Sequence, residues 1–133
     1  MEKGLEGETR RRAKNRCEYC HFPADLAITP FQIDHIIAEK HGGKTEFSNL
    51  ALACFSCNNY KGPNIAGFDL LTSEIVRLFN PRVDVWSDHF RWNGAVLTGK
   101  TVIARVTVQV LNINRADSVL LRECLMHEPI WFE

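Results

Sequence analysis

The sequence lacks an excess of charge of either sign: 16 Lys and Arg stand against 16 Asp and Glu. A formal net charge of zero excludes any overall electrostatic pull on nucleic acid or on an anionic membrane, so such attraction has to be local. Long apolar runs are missing too. None approaches the roughly 18 residues a membrane span needs, so no membrane partner is expected. The first residues do not follow the charged, apolar, small order of a secretory signal, which makes the cytoplasm the expected location. Repeats, low-complexity tracts and linkers longer than a few residues are absent as well. With 45% hydrophobic and 24% charged residues nothing past the first few positions reads as disordered. A length of 133 residues suits one domain, or a small module with an extension.

What the sequence does have is four cysteines in two pairs. Cys17-Glu18-Tyr19-Cys20 and Cys54-Phe55-Ser56-Cys57 are Cys-x-x-Cys knuckles, each of which turns back on itself and offers two thiolates to one ion. Two such pairs suit a tetrahedral, structural Zn²⁺. In a reducing cytoplasm paired cysteines favour metal over disulfide. The site would draw residue 17 against residue 57 and hold Asp34-His35 beside Asn58. Cys124 is left over and reads as a small buried hydrophobe. The one local source of positive charge is Arg10-Arg11-Arg12-Ala13-Lys14-Asn15-Arg16, which leads into the first knuckle. It reads either as a solvated face or as a surface on which Arg10, Arg11, Arg12, Lys14 and Arg16 meet phosphate.

Between the knuckles the pattern is a hairpin. Met1 to Thr9 reads as frayed, with Thr9 capping a short helix over residues 10–16. Ala27 to Thr29 reads as a brief strand limited by Pro30. Phe31 to Ile37 is β-rich around Asp34, and an acid beside an imidazole in an Ile-flanked strand is costly unless both are used or satisfied. A polar loop with Gly42-Gly43 follows, then a return strand over Leu50 to Ala53. Ser56 to Lys61 forms a short helix that Gly62-Pro63 ends.

Asp34-His35-Ile36, Gly42-Gly43, Asn49-Leu50 and Cys54-x-x-Cys57-Asn58-x-x-Lys61 together resemble the HNH (His-Asn-His) endonucleases, in their four-cysteine subgroup. Asn58 stands where the last His of the name often is. The resemblance covers about residues 17 to 61 and implies an α+β architecture with a ββα-metal (His-Me finger) module. It implies that His35 is the general base that takes a proton from water. Asp34 and the side-chain oxygen of Asn58 would hold a hard catalytic ion, Mg²⁺ or Mn²⁺. Asn49 would brace the loop so that His35 stays aimed, and Lys61 could contact a phosphate. The implied partner is DNA, cut to leave 5′-phosphate and 3′-hydroxyl ends. The expected assembly is a monomer or weak dimer, with any protein partner left open. The expected division is a nuclease module over 10–66 and an extension over 67–133 packing on it.

In that extension Asn93-Gly94 signals a two-residue hairpin turn. Thr101 to Asn114 fits a strand by alternation and a helix by the spacing of Ile103, Val106, Val110 and Ile113. Leu78-Phe79-Asn80-Pro81-Arg82, Trp86 and His89-Phe90 resemble an extension behind the nuclease module of some bacterial HNH proteins, which implies the helix. Asn114 is expected to cap a last helix over residues 115–126, with Ala116, Leu120 and Cys124 on its inner face.

Two other readings compete. A catalytically silent, zinc-stapled nucleic-acid-binding module would use the same knuckles and basic run, but leaves Asp34-His35, Asn49 and Asn58 without a purpose. The aromatics Trp86, Phe90, Trp92 and Trp131 could form a protein-interaction surface, although core packing explains them more simply.

Overall fold

The structure, a computed structural model, describes residues 1–132. The chain divides into two compact units, Met1–Ile65 and a second that starts at Ala66.

The first unit is built on one hairpin and one helix. Strand β1 (Gln32–His35) pairs antiparallel with β2 (Leu50–Ala53), in a register that sets Asp34 opposite Ala51 and His35 opposite Leu50. Helix α2 (Phe55–Lys61) follows directly, so the ββα order expected of the sequence is present. All four residues of β2 are buried, as a strand covered on both faces requires. On its free edge the first knuckle takes the place of a third strand. The Glu18 backbone N–H donates to the Leu52 carbonyl (2.8 Å), and the Leu52 N–H donates to the Glu18 carboxylate (2.8 Å). The strand expected at residues 27–29 is not formed; the chain bends there, after an isolated bridge between Arg16 and Pro23.

The N-terminal residues do not fray. They form helix α1 (Lys3–Arg12), and Thr9 lies buried inside it with its hydroxyl on the Leu5 carbonyl rather than at a cap. The helix is longer than the sequence suggests because its arginines anchor it. Arg10 donates to the Phe31 carbonyl (3.0 Å) and to Glu6. Arg12 donates to the carbonyls of Phe47 (2.7 Å) and Leu50, with its guanidinium 3.7 Å from the centre of the Phe47 ring. Three arginines in the last turn also suit the negative end of the helix dipole.

The second unit has two hairpins, β3 (Ala66–Phe68) with β4 (Ile75–Arg77) and β5 (Phe90–Asn93) with β6 (Val96–Gly99). A short helix, α3 (Trp86–His89), precedes β5, and helices α4 (Val102–Val110) and α5 (Ala116–Leu125) follow. The Asn93-Gly94 signal lands one residue early: Asn93 still pairs with Val96, and Gly94 and Ala95 make the turn. Gly94 has φ +60° and no positive φ occurs at Asn93 or Ala95, the pattern of a type II′ turn with glycine in its first central place. Thr101 settles the helix-or-strand question, because its hydroxyl accepts from the Ala104 N–H (3.1 Å) and starts α4. Phe79, Phe90, Trp86, Trp92 and Trp131 meet one after another, edge to face or tilted, with ring centres 5.1 to 6.3 Å apart, which places the aromatics in packing contacts with one another.

Two expectations for the last helix are corrected. Asn114 does not cap α5; its amide bonds both the N–H and the carbonyl of Leu97. Cys124 is exposed, and so is Leu120, while the buried residue of α5 is Arg122. Arg122 goes inward because its guanidinium finds the carbonyls of Ala95 and Ile113 and the side chain of Asn114, three acceptors that no helical periodicity announces.

Asp69 makes a testable joint in this unit. It accepts two bonds from Arg105 and one from the Thr72 hydroxyl (2.7 Å), and these hold its carboxyl down at about 2. An unfolded Asp titrates near 3.9. The stabilisation is therefore complete above about pH 4 and fades as the pH falls toward 2. In urea melts Asp69→Asn is expected to be less stable than the wild type at pH 7, with the gap narrowing at pH 2. An equal gap at both pH values would show that the ionised carboxylate is not what matters.

Candidate active site and metal centre

The four knuckle sulfurs converge. Cys17, Cys20, Cys54 and Cys57 offer sulfurs that all lie within 4.8 Å of one another, and Cys20 and Cys54 are 3.8 Å apart. Tetrahedral zinc with bonds of about 2.3 Å separates its sulfurs by about 3.8 Å. Both knuckles show the same local turn: the Cys20 N–H reaches the Cys17 sulfur (3.5 Å), and the Cys57 N–H reaches the Cys54 sulfur (3.4 Å). The second contact also caps α2, so this knuckle and this helix start are one structure. Hydrogen bonding with Cys17 first, and then with its other neighbours, pushes the Cys54 thiol down, while Cys20 and Cys57 are pushed well up. Crowded thiols cannot all ionise alone, and a dication is what allows it. The donor set fits zinc.

Asp34 lies on β1 with only 5% of its surface exposed. The Tyr19 hydroxyl donates to its Oδ2 (2.7 Å), which ties the first knuckle to the hairpin. The Lys61 ammonium lies 3.3 Å from Oδ1 and 3.2 Å from Oδ2, and 3.1 Å from the His35 carbonyl. Burial raises the Asp34 carboxyl above its usual range, opposed by the charge of Lys61 and the bond from Tyr19. The phosphate contact expected of Lys61 is thus not what this structure holds: its side chain is 2% exposed and paired inside the module. One turn earlier on α2, the Asn58 amide N–H donates to the Gln32 side-chain oxygen. Gln32 and Asp34 share a face of β1 by strand alternation, and α2 meets that face with Asn58 and Lys61. An amide oxygen and a carboxylate suit a hard divalent ion, and the ammonium straddling Asp34 marks the spot as one that attracts a cation.

The His35 ring takes Thr45 rather than Asp34 or Asn58 as its partner. Its Nε2 is 2.8 Å from the Thr45 hydroxyl and 3.8 Å from the Glu39 carboxylate, and the ring is partly open to solvent. Asn49 braces the loop between them. Its Oδ1 accepts from the Ile37 N–H (2.9 Å), and its Nδ2 donates to the carbonyls of Ile37 (3.0 Å) and Lys44 (2.9 Å). Gly43 lies in that fold of chain, where an added Cβ would stand 1.7 Å from the Ile37 carbonyl oxygen and 2.9 Å from Asn49 Nδ2. Gly43→Ala must push the loop off Asn49, at an overpacking cost of about 1–3 kcal/mol. Thermal melts should record that loss while the metal content stays that of the wild type. A melt unchanged from wild type would mean the loop absorbs the methyl.

Much of the basic run has structural duties. Arg10 and Arg12 hold backbone carbonyls, and Arg16 donates to the His21 carbonyl (3.2 Å). Arg11 and Lys14 are exposed. His21 sits beside Cys20, and burial lowers it to about 4.

A strand carrying Asp34-His35, a braced loop, a following helix with Asn58 and a four-sulfur staple now stand together. Residues 17–64 match the HNH endonuclease family. The HNH module therefore accounts for most of the first unit, from the first knuckle to the end of α2. The Septu protein PtuB of Bacillus thuringiensis is 26% identical over 116 residues, covering 86% of this chain and 42% of that protein. The chain thus spans less than half the length of that relative. No solved structure matches it. Among the described residues, no helix is long and apolar enough to cross a membrane.

Four residues around the HNH site escaped the sequence reading. Tyr19, Gln32, Glu39 and Thr45 carry no motif. Only Glu39, four positions after His35, offered a spacing signal, and the chain there is not a continuous helix.

Proposed function

We propose that the module is a metal-dependent HNH endonuclease that hydrolyses DNA phosphodiester bonds. The observation that carries this reading is the partly open His35 imidazole, fixed by Thr45 at the end of strand β1, where the neighbouring Asp34 is buried and faces Asn58's helix. His35 takes the proton from the attacking water. With Nε2–H donating to Thr45, the lone pair stays on Nδ1 for that water, and the ring cannot rotate away. Asn49 keeps the loop that carries Thr45 at its distance from His35. Asp34 and Asn58 would hold Mg²⁺ or Mn²⁺, which supplies positive charge to the phosphate and the leaving oxygen. The four cysteines would hold a structural zinc ion, and a reducing compartment such as the cytoplasm keeps them free to do so. Arg11 and Lys14, without the backbone duties of their neighbours, are the candidates to meet phosphate. One chain carries one centre, so a monomer cuts one strand at a time.

Supercoiled plasmid incubated with the zinc-loaded protein and Mg²⁺ or Mn²⁺ should convert to the nicked circle. EDTA at concentrations that spare the zinc should stop it. Salt-sensitive DNA binding that survives EDTA, with no cleavage in either ion, would instead establish the silent binding module.

A further inference from the structure

Two rungs join β1 to α2: Gln32 with Asn58, and Asp34 with Lys61. The second is unusual, because a lysine is almost never fully buried unless paired. Its ammonium straddles both oxygens of the carboxylate that would hold the catalytic ion, and it makes one further bond, to the His35 carbonyl. With the ammonium on both oxygens, a dication bound to either one would stand within a few ångströms of it, and the repulsion between them is strong where water is excluded. We infer that Lys61 is a resident stand-in for the catalytic cation, holding Asp34 when no divalent ion is bound and yielding it when one is. This rests on the reading that Asp34 and Asn58 are the ion's ligands.

The chemistry of the side chain suits the role. A compact point charge on a flexible four-carbon stem can leave one partner for another, whereas a guanidinium fork would be committed to its geometry. Until the ion arrives, Lys61 keeps the buried carboxylate paired, avoiding the cost of a lone charge in the interior. When Lys61 withdraws, its bond to the His35 carbonyl breaks with it. The ammonium is then released from the face of α2 that also carries Asn58, where a bound phosphate would be met. Lys61 thereby becomes a phosphate contact in the metal-bound state alone.

A purely structural ion pair predicts the opposite response to mutation, which makes the inference testable. Mn²⁺ binding is followed by electron paramagnetic resonance at pH 8, on the zinc-loaded full chain, for wild type, Asp34→Asn and Lys61→Met. Asp34→Asn should lose the site. Lys61→Met, relieved of the competing charge, should bind Mn²⁺ at least about tenfold more tightly. Equal or weaker binding by Lys61→Met, with Asp34-dependent binding intact in wild type, overturns the stand-in role and leaves the ligand assignment standing. No Asp34-dependent Mn²⁺ binding in wild type overturns both.

Lys61→Met leaves a buried carboxylate without its cation and can fail to fold, so a second measurement uses the wild type. In protein labelled with ¹⁵N at lysine Nζ, the buried ammonium should give a slowly exchanging signal in the absence of divalent ions. Mg²⁺ that shifts the Asp34 and Asn58 backbone amides should move that signal to the position of solvent lysines. A signal that stays in place while those amides shift overturns the inference.

Discussion

Replacing Cys57 by Ser should leave the first unit without its ion and without its fold. The residue is buried, its N–H closes the second knuckle on Cys54, and the same contact starts α2. Structural zinc contributes on the order of 10–16 kcal/mol of apparent folding free energy in small modules at neutral pH. A whole domain is stable by only about 5–15 kcal/mol. The first unit has a two-stranded sheet and short helices, so its own apolar burial cannot replace a contribution of that size. Tyr19 is the natural reporter, being fully buried between two ligands with its hydroxyl on Asp34. Near-ultraviolet circular dichroism should lose the signal of an immobilised tyrosine, and elemental analysis should find less than one zinc per chain. A folded, zinc-free Cys57→Ser protein with an unchanged tyrosine environment would remove the staple from this account.

His35→Ala should do the reverse, sparing the fold and abolishing the chemistry. The imidazole is partly open and makes one side-chain hydrogen bond, to Thr45, with Glu39 at ion-pair range. Its removal should therefore move the melting temperature by no more than a few degrees, a change of about 1 kcal/mol or less. A positioned general base contributes about 10²–10⁴-fold to rate. Single-turnover cleavage of plasmid in Mg²⁺ or Mn²⁺ should fall by that factor with zinc content unchanged. Cleavage at the wild-type rate would assign the base elsewhere.

The legible parts of the first unit are those where local chemistry and tertiary role coincide. A knuckle needs its two cysteines three apart, the return strand needs four apolar residues in a row, and α2 needs the glycine that ends it. Loop bracing by Asn49 was implied by the resemblance to the HNH endonucleases, whose middle Asn it matches, and not by the turn chemistry around it. What escaped was whatever depends on a partner far along the chain. Lys61 reads as a surface lysine until Asp34, 27 residues earlier, is seen beneath it. Arg122 interrupts the helical face that Leu120 and Cys124 seemed to define, because its acceptors are carbonyls, and carbonyls have no sequence signature. The basic run misled for the same reason: Arg10 and Arg12 look alike in sequence whether they face phosphate or the backbone.

Those two arginines also decide where the module starts as a physical object. A truncation placed just before the first cysteine would keep every residue of the recognisable motif. It would still discard the side chains that clasp Phe31 at the entry to β1, and Phe47 and Leu50 at the end of the loop facing it. A minimal fragment drawn by homology alone would thus be shorter than the smallest piece able to keep its own hairpin in register, and the first dozen residues belong in it.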